Sequence, residues 1–366
     1  MIAVSLYAFL AKIKRIKKMK TNSLKKYHIL AIGCLILIVG IVYYYFFASF
    51  TGKSSTSYVY IDTDDNIDSV YAKVQAVGRK HCFHAFKALV RHSSYSEHIR
   101  TGRYAIHSGD GTLAVFRHIK NGMQEPVSLT IPSVRTVGDL AAAISSKMMI
   151  DEQQLYDSLT DEQFCERYGY DTATVVCAFI PNTYDIYWNA SAAKLMDRMK
   201  KESDKFWNSS RRDKAAAMGL TPVQVMTLAS IVDEETANNA EKPMIAGMYY
   251  NRYKFRDAEY PQGMPLQADP TIKFAWKRFD IKRIYNKLLY INSPYNTYKN
   301  PGLPPGPIRI PSVAGIDAVL NYVHHDYLYM CAKEDFSGTH NFARTYSEHL
   351  ANAARYSKAL NERGIK

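Results

Sequence analysis

The sequence predicts an α+β protein with a single N-terminal transmembrane helix, a small α+β module and a larger mixed α/β domain. Three observations carry this. Ile29 to Phe50 is uncharged and almost wholly apolar, close to the roughly 20 residues that span a bilayer. From Tyr58 onward, short runs of alternating polarity interleave with helical periodicity. Further on, Thr221 to Thr236, TPVQVMTLASIVDEET, reads as a well-started helix followed by Tyr-, Asn- and Pro-rich segments suited to the walls of a cleft.

At 366 residues with 47% hydrophobic and 22% charged residues, the chain is long and apolar enough for folded domains with substantial cores. Its net charge of +13 suggests nucleic acid until it is located. Eight cations (Lys12, Lys14, Arg15, Lys17, Lys18, Lys20, Lys25, Lys26) precede residue 29 with no acid among them, leaving +5 for the rest. So diffuse a charge marks no nucleic-acid binder. Residues 1–28 are expected to be a basic cytoplasmic arm and 29–50 the span, its far end marked by Tyr43, Tyr44 and Tyr45. The excess of basic residues before the span puts the N-terminus inside and the remainder outside. The apolar run exceeds the core of a cleavable signal and lacks a small-residue cleavage site.

Residues 51–57, TGKSSTS, read as a linker. The module expected over 58–147 takes a strand at Tyr58–Ile61 and a helix from Ile67 that stops at Gly78. A helix around Phe83–Val90, a strand at Arg103–His107 and a helix ending at Gly122 follow. Val127, Leu129 and Ile131 alternate with polar residues as a strand, and Thr136 with Asp139 opens a further helix. Residues 148–366 form the larger domain, with a helix from Ala190 to Met199, a charged surface over Lys200–Lys214 and a helix over Pro243–Arg252.

Thr221 is a natural N-cap, Pro222 suits the first helical position, and Gln224 completes a capping box. Val225, Leu228, Ile231 and Val232 share one stripe with Glu235, while Asp233 and Glu234 project to the other side. Only Glu235 is then expected in an apolar environment, which raises a carboxyl pKa and lets the group hold a proton near neutrality as a general acid. The residues alone leave a second reading open, with the helix frayed and Glu235 an ordinary solvated end residue.

LASIVDEET, IAGMYYNR (Ile245 to Arg252), GMPLQADPT (Gly263 to Thr271), SPYNTYKNPGLPPGPI (Ser293 to Ile308) and GTHNFARTYSEH (Gly338 to His349) occur in that order. Together they resemble the endolytic murein transglycosylases of the MltG or YceG-like family. The resemblance runs from the membrane segment to near the C-terminus. In the family pattern the catalytic glutamate directly precedes Thr, which is Glu235 here. Asp233 stands where the family has Glu, and Glu234 where it has a basic residue, an extra acid expected to push the Glu235 pKa upward. The resemblance implies a LysM-like module over 58–147 and a YceG-like catalytic domain over 148–366.

Gln267 and Asp269 are candidate partners for sugar hydroxyls or N-acetyl groups; Asp269 before Pro270 equally suits a turn and helix start. Tyr295, Asn296, Thr297 and Tyr298 offer two aromatic faces and two polar groups for stacking and orienting a sugar, beside the stiff wall Pro301–Pro311. The loop Phe255–Met264 is longer than in the family pattern. His340 and His349 are expected to be structural. The cysteines Cys34, Cys82, Cys165, Cys177 and Cys331 lack C-x-x-C spacing, and no metal-binding, nucleophile-elbow or phosphate-loop motif occurs. No metal or cofactor is expected.

What the resemblance implies is a lyase of the inner cell membrane with its catalytic domain outside, in the periplasmic or extracytoplasmic space. It would cut the β-1,4 bond between N-acetylmuramic acid and N-acetylglucosamine within peptidoglycan strands, leaving 1,6-anhydromuramic ends and setting strand length. Its partners would be glycan strands, the membrane and cell-wall synthases. The alternatives are a muramidase-type hydrolase with Asp269 as second carboxylate and a non-catalytic peptidoglycan-binding scaffold.

Overall fold

The computed structural model describes residues 2–281 and 283–364. The chain divides after Pro126 into two compact units.

The first unit begins with helix α1 (Ile2–Val42), continued by a π-helical turn over Tyr43–Phe47. Lys25–Phe47 is long and apolar enough to cross a membrane, and none of it is buried within the protein. The expected span ran to Phe50, but Phe50 is fully buried in the module core and Thr51 is buried beside it. An aromatic side chain gains more in a packed core than at a helix end, so the expected linker 51–57 shrinks to the exposed residues 52–55 and half-buried Thr56. Strand β1 (Ser57–Ile61), helices α2 (Ile67–Val77) and α3 (Lys80–Arg91), strand β2 (Gly102–Ile106) and helix α4 (Thr112–Asn121) follow. β1 and β2 pair antiparallel, from Ser57 opposite Ile106 to Ile61 opposite Gly102, so two helices lie between two paired strands. α2 starts where the Asn66 side chain accepts from the Asp68 and Ser69 amides. α4 stops at Gly122, whose φ of +69° suits a residue without Cβ. Val59, Ile61, Val70, Val74, Phe86, Tyr104 and Ile106 make the core.

The second unit starts at strand β3 (Val127–Thr130). The module was expected to continue to residue 147, but β3 pairs antiparallel with β4 (Thr183–Ile186), and the next helix, α5 (Val137–Ser145), packs in the same core. Local patterning reveals a strand but not its partner, which lies more than fifty residues ahead. α5 carries the expected Thr136–Asp139 capping box. Helices α6 (Glu152–Thr160) and α7 (Glu162–Glu166) precede β4, and α8 (Ala192–Phe206), α9 (Ser209–Ala217), α10 (Pro222–Glu235), α11 (Lys242–Lys254), α12 (Asp269–Ala275) and α13 (Val313–Leu320) follow it. The hairpin β5 (Tyr329–Ala332) and β6 (His340–Ala343) and the terminal helix α14 (Tyr346–Glu362) complete the unit.

α10 organises this unit. Its Thr221–Gln224 capping box is formed on both sides and Pro222 opens the first turn. Instead of one apolar stripe, all eight residues from Val225 to Val232 are buried, as in a helix surrounded by other elements. The polar residues among them are satisfied: Thr227 Oγ1 donates to the Val223 carbonyl at 2.9 Å, and Ser230 Oγ accepts from the Ile308 amide at 3.0 Å. Asp233, expected on the side away from the apolar stripe, has its side chain buried. It accepts from the Ser312 amide at 2.6 Å and pairs with Lys242 Nζ at 2.8 Å, both side chains buried. The start of α13 crosses over this end of α10, and a Cβ on Gly315 would meet Asp233 Oδ1 at 2.4 Å.

Removing one partner of a buried pair leaves the other charge uncompensated, so Asp233→Ala is expected to destabilise the second unit by about 3–5 kcal/mol. Thermal unfolding of the detergent-solubilised chain measures this, and a change indistinguishable from zero would contradict it.

Candidate active site

The last turn of α10 opens into a cavity of about 530 Å³ whose lining includes Glu235, Tyr249, Arg252, Gln267, Asp269, Tyr298 and Tyr329. Glu235 is half-buried there, with Thr236 as the C-cap. The Tyr249 hydroxyl donates to Glu235 Oε1 at 2.5 Å. Burial pushes the Glu235 carboxyl up from 4.5 to about 7; the Tyr249 hydrogen bond opposes this by favouring the carboxylate, and the Asp269 charge adds to the rise. Lys273 opposes and Glu234 adds, in that order of size. The extra acid at 234 thus acts in the expected direction, with the least weight of these causes. It is partly neutralised, since Glu234 is held by Arg135 Nε at 2.8 Å and Arg309 Nη1 at 2.9 Å. The fraying reading is set aside by the continuous helix and by this burial.

Opposite Glu235, Asp269 occupies the first position of α12 and accepts from the Tyr298 hydroxyl at 2.5 Å. Burial raises the pKa of both Tyr249 and Tyr298, so each phenol stays protonated and remains a donor. The cavity thus holds two carboxylates, each with its own phenolic donor.

Arg252 is buried and donates to the Pro265 carbonyl at 2.9 Å, the Leu328 carbonyl at 3.1 Å and Gln267 Oε1 at 2.5 Å. Burial lowers its pKa. Gln267 adopts a φ of +54°, rare for a residue with Cβ, and is kept there by Arg252 on its side chain and by its own amide donating to the Thr297 carbonyl at 3.0 Å. Strain of this kind, over-determined by its surroundings, points to a functional position.

Of the sequence-predicted residues, Glu235, Gln267, Asp269 and Tyr298 meet in this cavity. Asn296 and Thr297 do not face it. Asn296 is fully buried, donating to the Leu289 and Ile291 carbonyls and accepting from the Tyr298 amide. Thr297 Oγ1 accepts from the Ala268 amide and shares a bond with Thr271. Polar side chains in a loop without regular structure are needed to satisfy its backbone, so these two hold Tyr298 and Gln267 in place instead of meeting a sugar. Tyr295 packs against Phe274 at 4.7 Å between ring centroids and lines a separate groove with Arg135, Lys277 and Arg309. His340 is tied to Glu241. His349 lines the cavity, stacked on Tyr329, with its pKa lowered by burial and by Arg252.

Sequence reasoning missed Tyr249 and Arg252 as site residues. Tyr249 falls on the core face of α11, and its hydroxyl is the sole sign that this face turns polar at one end. Arg252 looks like a helix-terminating cation until its burial is seen. Among the described residues there is no group of three or more His, Cys, Asp or Glu side chains suited to a metal ion.

The sequence model of the YceG-like family matches residues 59–355. An endolytic murein transglycosylase of Bacillus subtilis is 29% identical over 297 residues, covering 76% of this chain and 79% of that protein. One from Streptococcus pneumoniae is 27% identical over 308 residues, covering 74% of this chain and 53% of that longer protein. The crystal structure of a YceG-like protein from Listeria monocytogenes superposes with a TM-score of 0.52 at 24% identity, over 82% of this chain and 99% of that one, a likeness of fold.

The raised carboxyl has a signed consequence. Between pH 4.5 and about 7 the folded chain keeps on Glu235 a proton that the unfolded chain has released, so this group's contribution to stability is lost as pH rises through that window. Glu235→Gln does not titrate. Its melting temperature is expected to gain on the wild type from pH 4.5 to above 7, by an amount equivalent to at most about 3 kcal/mol. A constant difference across this range, followed by scanning fluorimetry, would count against the shifted pKa.

Proposed function

Because this chain belongs to the YceG-like family, we propose that it is a membrane-anchored endolytic lytic transglycosylase of peptidoglycan. The observation that carries the reading is Glu235, a carboxyl raised to about 7 in a cavity where a phenol aims it. Such a group is poised to give a proton and take one back at neutral pH.

Protonated Glu235 donates to the glycosidic oxygen between C1 of N-acetylmuramic acid and C4 of N-acetylglucosamine. The C1–O bond breaks, its electron pair leaves with the new 4-hydroxyl, and positive charge develops at C1. Glu235, now a carboxylate, takes the proton from the 6-hydroxyl of the same muramic acid as that oxygen bonds to C1. The product is a 1,6-anhydro end, Glu235 is protonated again, and no water is consumed. Capture by a hydroxyl of the same sugar gains a large effective molarity, which lets one carboxylate serve both steps. Tyr249 holds Glu235 in line; Asp269, Tyr298 and Gln267 are the polar groups for hydroxyl and N-acetyl contacts, and Tyr329 supplies a stacking face.

The apolar stretch of α1 would anchor the enzyme with its basic arm inside and both units outside. Cutting nascent strands near the membrane would then limit their length beside the synthases that make them. The two-helices-between-two-strands order of the first unit supports a LysM-like module that positions glycan. A muramidase-type hydrolase is the second reading, favoured by Asp269 in the same cavity.

Mass spectrometry of purified peptidoglycan digested by the full chain separates these readings. Internal fragments with anhydromuramic ends are expected, reduced at least about 100-fold by Glu235→Gln and far less by Asp269→Asn. Reducing ends that vanish with Asp269→Asn would establish the hydrolase. Glycan bound without turnover would leave a scaffold. Tyr249→Phe removes a bond that favours the carboxylate, so the alkaline limb of the activity profile is expected to move to higher pH; a shift to lower pH would overturn the role given to Tyr249.

A further inference from the structure

Helix α3 begins where the apolar span ends. Tyr44, in the π turn, stacks on His81 with ring centroids 3.8 Å apart and planes within 13°. The Arg79 amide donates to the Phe50 carbonyl at 2.7 Å, and Phe50 packs edge-on against Phe86 in the module core. Gly78 permits this approach, since a Cβ there would lie 2.5 Å from the Phe50 ring. The first turn of α3 is therefore held at the level where the span finishes, with no flexible tether between them.

α3 buries Cys82, Phe83, Ala85, Phe86 and Val90. Away from that face, Lys80, His84, Lys87 and Arg91 follow one another at helical spacing, within about 60° when residues advance about 100° each. No acid occurs between Arg79 and Ser96. Among the described residues, the ion pairs recorded in this unit are made by Lys73 and His107, and the Lys87 ammonium lies over the Tyr71 ring at 5.0 Å. The N-cap residue Arg79 makes no side-chain capping bond, so it does not satisfy the first-turn amides. A row of lysine and arginine side chains with no acidic partner among the described residues, beginning beside the end of an apolar span, suits phosphate groups that lie at that depth.

We propose that this face of α3 binds anionic phospholipid headgroups in the leaflet where the span ends, pinning the first unit to the bilayer surface. The inference rests on the reading of α1 as a membrane anchor. The basic arm on the other side of the span attracts anionic lipid too, so the test compares variants that share it.

The full chain is reconstituted into nanodiscs of equal phosphatidylcholine and phosphatidylglycerol, then extracted in mild detergent, and the lipid retained per chain is measured by native mass spectrometry. Lys80→Ser/Lys87→Ser/Arg91→Ser is expected to lower retained phosphatidylglycerol about fivefold and leave phosphatidylcholine unchanged. Lys80→Ser/Arg91→Ser, which spares the stacked Lys87, should give an intermediate loss, and the charge-conserving Lys80→Arg/Lys87→Arg/Arg91→Lys should restore wild-type retention. Equal retention by wild type and the triple variant, both co-eluting with nanodiscs, would overturn the lipid site alone. A wild-type chain that fails to co-elute with nanodiscs would overturn the anchor reading and this inference with it.

Discussion

Three successive carboxylates at the end of one buried helix must each find a different electrostatic solution, and the second unit is arranged around that requirement. Asp233 is compensated by Lys242 and by amide and hydroxyl donors from Ser312. Glu234 is shared between two guanidinium groups. Glu235 has a phenol in place of a cation, which leaves it free to keep its proton. The raised carboxyl is therefore defined as much by what neutralises its neighbours as by its own surroundings. Desolvation penalises every buried charge, and it raises a carboxyl pKa on balance only where opposing charges and hydrogen bonds do not outweigh it.

The same economy of partners shapes the opposite wall. The side chains of Asn296 and Thr297 bond backbone groups and Thr271, and Asn296 and the Thr297 carbonyl accept from the Tyr298 and Gln267 amides. Arg252 ties the segment at Pro265 to Leu328, the residue before β5, through carbonyl acceptors. A site whose polar groups are already oriented needs little reorganisation when charge develops within it.

The first unit shows how an aromatic residue can end a long apolar helix. Phe50 is drawn into the module core, a few residues after the π turn over Tyr43–Phe47. What reads as a span followed by a linker is an apolar helix joined firmly to a folded unit.

Much of this was legible from residues alone. The α10 capping box, the start of α5, the stop of α4 at Gly122 and the apolar character of the span depend on neighbours within a few positions, and local chemistry decides them. The order of motifs pointed to Glu235, Gln267, Asp269 and Tyr298, which the fold brings into one cavity. Other features were settled only by tertiary structure: the β3–β4 pairing, the burial of Asp233, the inward turn of Asn296 and Thr297, and the site positions of Tyr249 and Arg252. Each depends on which distant segment packs against a given side chain. Periodicity tells which face of an element is covered, but the partner that covers it decides whether a polar atom there meets a charge, a backbone group or open space.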